Sequence, residues 1–191
     1  MKEKLKKDVK RWRKERAEIF LAEIGIKKGQ TVLDFGCNEG NYTIPAARIV
    51  TEKGKVYAVD KEGKSLIKTM KKVKSEGLKN VVGIISSNEL EIPLRKDSVD
   101  IVLLYDTLHR GYFPEEESRK KLLNSIYKIL RENGFVSIYL THLRQFGMTF
   151  KKALEEIENA GFVYDGETHK KLVHDNNLMR GRIFTYRKTK K

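Results

Sequence analysis

Two stretches of this 191-residue chain carry side chains able to do chemistry. In VLDFGCNEGNYT, residues 32–43, an apolar run carrying Asp34 breaks into a turn built from Gly36, Cys37, Asn38 and Gly40. Gly36 and Gly40 can take positive φ and let a ligand approach the main chain, and Asn38 is among the few other residues that tolerate the left-handed region. In SVDIVLLYDTLHR, residues 98–110, Asp106 and His109 stand three apart, so one helical turn would aim both at the same point. A histidine that titrates near neutrality suits general-base catalysis. His142 is a weaker candidate for that task, and His169 and His174 are expected to be structural or surface residues. Cys37, the single cysteine, reads as a small buried residue rather than a nucleophile, and it excludes an internal disulfide framework or a multi-cysteine zinc site.

Those residues need elements to hold them. Leu5, Val9, Trp12, Ile19, Phe20 and Ile24 recur at helical spacing, which predicts a basic amphipathic helix across residues 1–24, closed by Gly25. Strands predicted at 31–35, 55–60, 81–85, 99–105 and 134–140 alternate with helices at 41–51, 62–76, 114–130 and 150–159. That alternation implies right-handed crossovers and a parallel sheet covered on both faces. Residues 162–173 and 179–188 read as two strands with no helix between them, an antiparallel hairpin at one sheet edge. The expectation is one α/β domain over residues 1–191, doubly wound, with a mostly parallel seven-stranded sheet. In such a sheet ligands bind beyond the C-terminal strand ends where strand order reverses, and the Gly36 turn follows the first strand.

Charge narrows the partners less than its size implies. The net charge is +14, but residues 1–16 hold nine Lys/Arg against three acids and residues 168–191 hold eight against one, so the middle of the chain is nearly neutral. The basic ends could track the phosphates of RNA. The longest apolar run, residues 101–105, is far short of the ~20 residues of a membrane-spanning helix. The charged N-terminus lacks the apolar stretch of a secretory signal, so a cytoplasmic protein is expected. Neither G-x-G-x-x-G nor G-x-x-x-x-G-K-[ST] is present, which disfavours a turn that cradles phosphate.

VLDFGCNEGNYT resembles motif I of the class I S-adenosylmethionine (SAM) methyltransferases, V-L-D-x-G-C-G-x-G-x-x-T, with Asn38 in place of the middle glycine. VYAVD is similar to the second strand of that family, and puts Asp60 where an acid binds both ribose hydroxyls; a carboxylate suits two neighbouring donors. SSNELEIPL resembles the D-A-x-x-L-P segment, with Asn88 where an aspartate receives the adenine amino group, a bond the amide carbonyl can still accept. SVDIVLLYDTLHR and ILRENGFVSIYL resemble the fourth strand with its loop and the turn into the fifth strand. From about residue 16 to residue 188 the chain is similar to the ubiquinone/menaquinone-type branch of small methyltransferases.

The resemblance implies SAM as cofactor, held by Asp34, Gly36, Cys37, Asn38, Gly40, Tyr42, Asp60, Lys61, Ser87, Asn88 and Tyr105. It implies Asp106 and His109 as catalytic residues and assigns no metal ligand. LHRGYFPEEE is similar to the L-H-D-W-x-D-E segment of small-molecule O-methyltransferases, in which that histidine is catalytic, although Arg110 replaces the aspartate. The expected acceptor is a small molecule, anionic or lipophilic; RNA methylation through the basic ends is the alternative, and a non-catalytic SAM-binding protein is a third reading, given Asn38 and Asn88. The absence of any cysteine after motif I excludes the covalent route to 5-methylcytosine. The N-terminal helix could pack on the domain, fold over the active site as a lid, or lie on a membrane surface.

Overall fold

The computed structural model describes residues 2–86 and 92–189, with side chains from Lys7 onward. Seven strands form one sheet: β1 (Thr31–Phe35), β2 (Lys55–Asp60), β3 (Val81–Ile85), β4 (Val99–Tyr105), β5 (Leu130–Tyr139), β6 (Phe162–His174) and β7 (Asn177–Lys188). Their order is β3-β2-β1-β4-β5-β7-β6. Strands β1 to β5 pair parallel, whereas β7 runs antiparallel to both β5 and β6. The sheet reverses its direction of growth between β1 and β4, which places the ligand crevice beyond Phe35 and Tyr105.

The central strands β1 and β4 read as near-continuous apolar runs because both of their faces are covered. Helices α5 (Glu116–Ile129) and α6 (Phe150–Asn159) cover one face, around Leu104, Leu122, Ile126, Val136 and Ile157. On the other face, α1 (Lys2–Glu15), α2 (Ala17–Ile24) and α3 (Thr43–Val50) pack around Trp12, Phe20, Ala46, Leu103 and Ile183. Helix α4 (Gly63–Ser75) flanks β2 and β3.

The predicted N-terminal helix is two helices rather than one. Arg16, at φ −120°, interrupts it, while the bonds from Arg16 N–H to Trp12 O (2.9 Å) and from Phe20 N–H to Arg16 O (2.8 Å) keep the turns stacked. Val9 and Trp12 on α1, and Phe20 and Leu21 on α2, reach the same core cluster. Helix α3 starts two residues later than predicted because residues 41 and 42 belong to the preceding turn. Strand β5 begins at Leu130, four residues early, directly from the end of α5. The hairpin turns on Asp175 and Asn176, with φ of +47° and +56°. Two consecutive positive-φ residues give the mirror-image turn whose twist matches that of the flanking strands, and Asp and Asn are among the residues that accept it.

One buried ion pair fixes the loop that follows β4. Arg119 of α5 is fully buried and donates to both oxygens of Glu156 on α6, at 2.8 Å each, and also to the carbonyls of Phe113 (2.7 Å) and Pro114 (3.1 Å). The guanidinium fork therefore clamps two helices and a loop at once. Removing one partner strands the other charge in an apolar setting, which costs about 3–5 kcal/mol. Glu156→Ala is expected to lower unfolding stability by that amount in urea denaturation, with an unchanged denaturant slope.

Candidate functional site

Beyond the C-terminal ends of β1, β2 and β4 lies a cavity of about 560 Å³. Its floor is the β1–α3 turn. Gly36 and Cys37 both donate their N–H groups to Val59 O, at 2.8 and 3.0 Å, so the first half of the turn continues the β1–β2 ladder. Gly36 sits at φ +83°, and a Cβ there would stand 2.4 Å from the Thr107 methyl. Only glycine fits this approach of main chain to side chain. Asn38, at φ +43°, occupies the left-handed region without being glycine, and its short polar side chain is one of the few that tolerates it.

Two side chains of α4 hold the outer rim. Thr69 donates its hydroxyl to Asn38 O at 2.6 Å, and Lys72 donates to Glu39 O at 2.9 Å. Gly40 packs against the same Thr69 and does not reach the cavity wall. Asp60 joins this turn to the next one: Oδ2 accepts the Asn38 N–H at 2.7 Å and Oδ1 accepts the Glu62 N–H at 2.8 Å. Asp60 lines the cavity, and each oxygen retains acceptor capacity, because a carboxylate offers about four acceptor positions.

Asp34 is buried at the cavity floor and accepts the Thr43 hydroxyl at 2.5 Å. Burial pushes its carboxyl up to about 6, and Asp60 adds to the rise while Thr43 opposes it. No cation pairs with it among the described residues. Burial, with Asp34 and Asp60 nearby, also pushes the Cys37 thiol upward, which removes any nucleophilic character. Tyr42 and Tyr105 meet edge to face at 4.8 Å and form one wall; their hydroxyls are engaged by Val173 O (2.7 Å) and Ser137 Oγ (2.8 Å). Lys61 extends over the Tyr112 ring, with Nζ 4.4 Å from its centroid, on the opposite wall. Ser87 and Asn88 lie outside the described residues.

Helix α1 closes one flank. Trp12 packs against Tyr42 and donates its indole N–H to Lys171 O at 3.1 Å. Arg13 reaches the hairpin turn at Asn176 Oδ1 (3.0 Å) and the rim at Glu39 (3.6 Å).

Asp106 and His109 end up adjacent but unequal. Asp106, at φ +57°, lines the cavity; its carboxyl accepts the Thr141 hydroxyl, and burial pushes it up to about 7, opposed by His142 and reinforced by Asp175. His109 lies behind it, stacked flat on Phe146 at 4.8 Å. Its Nδ1 accepts the Gly111 N–H at 3.0 Å, so Nε2 carries the proton, buried, without a hydrogen-bond partner and 3.8 Å from Asp106 Oδ1. Burial and the nearby His142 hold this imidazole below its ordinary pKa.

The cavity also contains residues that spacing along the sequence did not select. His174, expected to be a structural or surface residue, and Asp175 line its wall beside Asp106. His174 Nδ1 is 3.3 Å from Asp106 Oδ2, and burial lowers its pKa. His142, just past β5, completes the group at 2.9 Å from His174. A topological signal existed: a strand antiparallel to β5 must begin at the end of the sheet where β5 finishes, so the β6–β7 turn emerges beside the cavity.

Comparison with known proteins fits this architecture. The family described as a methyltransferase domain matches residues 26–179, well over half of the chain. The chain belongs to that methyltransferase family. Its cofactor is S-adenosylmethionine. The chain is 29% identical over 145 residues to a probable cobalt-precorrin-6B C(15)-methyltransferase (decarboxylating) of Saccharolobus solfataricus, covering 76% of this chain and 67% of that one. It is 28% identical over 130 residues to the demethylmenaquinone methyltransferase of Lactobacillus johnsonii, covering 68% of this chain and 50% of that protein. This methyltransferase therefore spans about half the length of its quinone-modifying relative. A SAM dependent methyltransferase from Aquifex aeolicus shares the fold at a TM-score of 0.70, with 24% identity over 94% of this chain and 97% of that chain. No helix among the described residues is long and apolar enough to cross a membrane.

The state of Asp34 makes the stability of this methyltransferase depend on pH. Its folded-state pKa of about 6 exceeds the ordinary 3.8, so between those values the folded chain holds more protons than the unfolded one. The contribution is complete below pH 4 and is lost as pH rises through about 6, amounting to roughly 3 kcal/mol at 1.36 kcal/mol per pH unit. In the absence of cofactor, Asp34→Asn is expected to gain stability relative to the wild type between pH 4 and pH 7, read from urea midpoints at each pH.

Proposed function

We propose that this protein transfers the methyl group of SAM to a small molecule held in the same cavity. The observation that carries the reading is the continuity of that cavity: its wall runs from Asp34, Gly36 and Asp60 to Asp106, Tyr112 and His174 without a partition. Its volume lies within the range of small-molecule sites. SAM supplies an electrophilic methyl on a sulfonium centre.

The residues present fit that cofactor. Gly36 leaves main chain exposed where any Cβ would meet Thr107. Asp34 offers a buried carboxyl without a cation, suited to an ammonium group, and Asn41 Oδ1 in the cavity wall lacks a hydrogen-bond partner. Asp60 offers two lone pairs to neighbouring hydroxyls, while Tyr42 and Tyr105 give the methionine end an aromatic wall. Methyl transfer from a good leaving group is an in-line displacement, so the chain's main contribution is positioning, with water excluded by Tyr112 and Phe113. Asp106 faces the reacting end, with the His109 imidazole packed behind it, 3.8 Å from Oδ1. His109 acts in this reading as a positioning residue.

The RNA alternative rests on the basic termini, yet Arg182, Arg187 and Lys188 pair with Glu167, Asp165 and Asp97. The relatives' acceptors, a precorrin and a demethylmenaquinone, are small molecules, which supports an acceptor of that class.

Loss of a charge-assisted acceptor costs about 1.5–3 kcal/mol. Calorimetry with S-adenosylhomocysteine is therefore expected to show Asp60→Ala binding about 10- to 100-fold more weakly than the wild type. With methyl-labelled SAM and fractionated cell extract, label is expected among small metabolites. Label confined to RNA, or absent from every fraction while the nucleoside still binds, would overturn the small-molecule reading.

A further inference from the structure

Beside the cavity wall at His174 and Asp175, three side-chain atoms converge from two separate elements. His142 Nε2 and His174 Nε2 are 2.9 Å apart, and Asp175 Oδ2 lies 3.3 Å from the first and 3.5 Å from the second. Around a metal with ligands at 2.0–2.1 Å, neighbouring donors stand about 3.0 Å apart in an octahedron and about 3.4 Å in a tetrahedron. The three edges fall at those separations.

The opposite side of each imidazole faces an oxygen. His142 Nδ1 is 3.0 Å from Gln145 Oε1, and His174 Nδ1 is 3.3 Å from Asp106 Oδ2. The two Nε2 atoms hydrogen-bond one another, so one of them carries a proton; a metal ion taken up there would release that proton and leave each Nδ1 to donate to its oxygen neighbour. Two imidazole nitrogens and a carboxylate oxygen thus stand at the mutual separations of donors around one ion. Histidines that ligate metals almost always donate their second ring N–H to a carboxylate or carbonyl, which fixes tautomer and orientation.

A second observation lies behind Asp106. The buried, unpartnered Nε2–H of His109 points toward Asp106 Oδ1 at 3.8 Å, and Thr141 bonds the same carboxyl. Asp106 is thus anchored by Thr141 with its other oxygen 3.3 Å from His174 Nδ1. One ligand atom from each of Asp106, His142, His174 and Asp175 lies within 4.8 Å of the others.

We propose that His142, His174 and Asp175 bind a divalent first-row transition-metal ion at the cavity wall, with Asp106 and Gln145 orienting the two imidazoles. Two imidazoles with one carboxylate suit Zn²⁺, Mn²⁺, Fe²⁺ or Co²⁺, whereas Mg²⁺ and Ca²⁺ favour oxygen donors. Three protein ligands leave coordination positions open, and two of the three, His174 and Asp175, line the cavity together with Asp106. Resting on the methyl-transfer reading, the acceptor class is a small molecule that offers an anionic oxygen donor to the ion.

The test uses the full chain, dialysed against chelator and titrated with Co²⁺ by visible absorption and with Zn²⁺ by calorimetry. The expected result is one equivalent of Co²⁺ giving the d–d bands of an imidazole-ligated ion, displaced by Zn²⁺. His142→Ala and Asp175→Asn are expected to weaken Zn²⁺ binding at least 100-fold. Gln145→Ala, which removes no ligand, is expected to weaken it 10- to 100-fold, an effect that chance binding to surface histidines would not show. Circular dichroism checks that each variant folds. Wild-type binding of either ion no tighter than that of the His142→Ala, Asp175→Asn double variant overturns the site. Acetohydroxamate added to the Co²⁺ form is expected to shift the bands; unshifted bands overturn the oxygen-donor class. S-adenosylhomocysteine calorimetry separates the two readings: failure to bind the nucleoside while Co²⁺ binds removes the methyl-transfer reading and leaves the metal site standing.

Discussion

The carboxylate of Asp60 accepts one main-chain N–H from each of two turns, at Asn38 and at Glu62, and the shape of the cavity depends on that bridge. It adds to the ladder bonds to Val59 O and to the Thr69 and Lys72 bonds from α4 in holding the β1–α3 turn near β2. The bridge places Asn38 in the left-handed region, where Thr69 and Lys72 can reach the carbonyls of Asn38 and Glu39. With both turns fixed, the Gly36 main chain lies open and Asp34 stays buried below it. One side chain therefore serves as a local brace and as a pair of acceptors in the floor.

The cavity has two halves with different supports. Its floor is carried by β1, β2 and α4, joined by hydrogen bonds to main-chain groups of the turn. The opposite end is assembled from the loop after β4, the loop after β5 and the β6–β7 turn. That end relies on side-chain devices: the Arg119 clamp on the Phe113–Pro114 carbonyls, the flat stack of His109 on Phe146, and Arg13 of α1 reaching the hairpin at Asn176. Association of elements far apart in sequence is what brings Asp106, His142 and His174 within a few ångströms of one another.

This division explains how much could be read from sequence. Strands β1 to β4 begin and end where the sequence predicts, because short apolar runs bounded by glycine and charge leave little freedom. The floor was similarly legible, since Asp34, Gly36 and Asn38 belong to one turn and Asp60 ends the adjacent strand. The break at Arg16 was not legible, because the apolar spacing continues through it. Nor did the three-residue spacing of Asp106 and His109 reveal which would face the cavity; Phe146, some 37 residues further along, decides that by stacking on the imidazole. His174 and Asp175 escaped for a related reason, as their position follows from the antiparallel register of β7 on β5 and not from neighbouring residues.

The hairpin turn makes one residue answer to two demands. Asp175 must hold φ at +47°, which glycine would do at no steric cost, and it also presents an oxygen toward two imidazoles, which glycine cannot do. Drift under selection for folding alone would run toward glycine here. A lineage that lost the chemistry would therefore be free to relax this turn, and the backbone would become easier to make at the moment the site became empty of purpose.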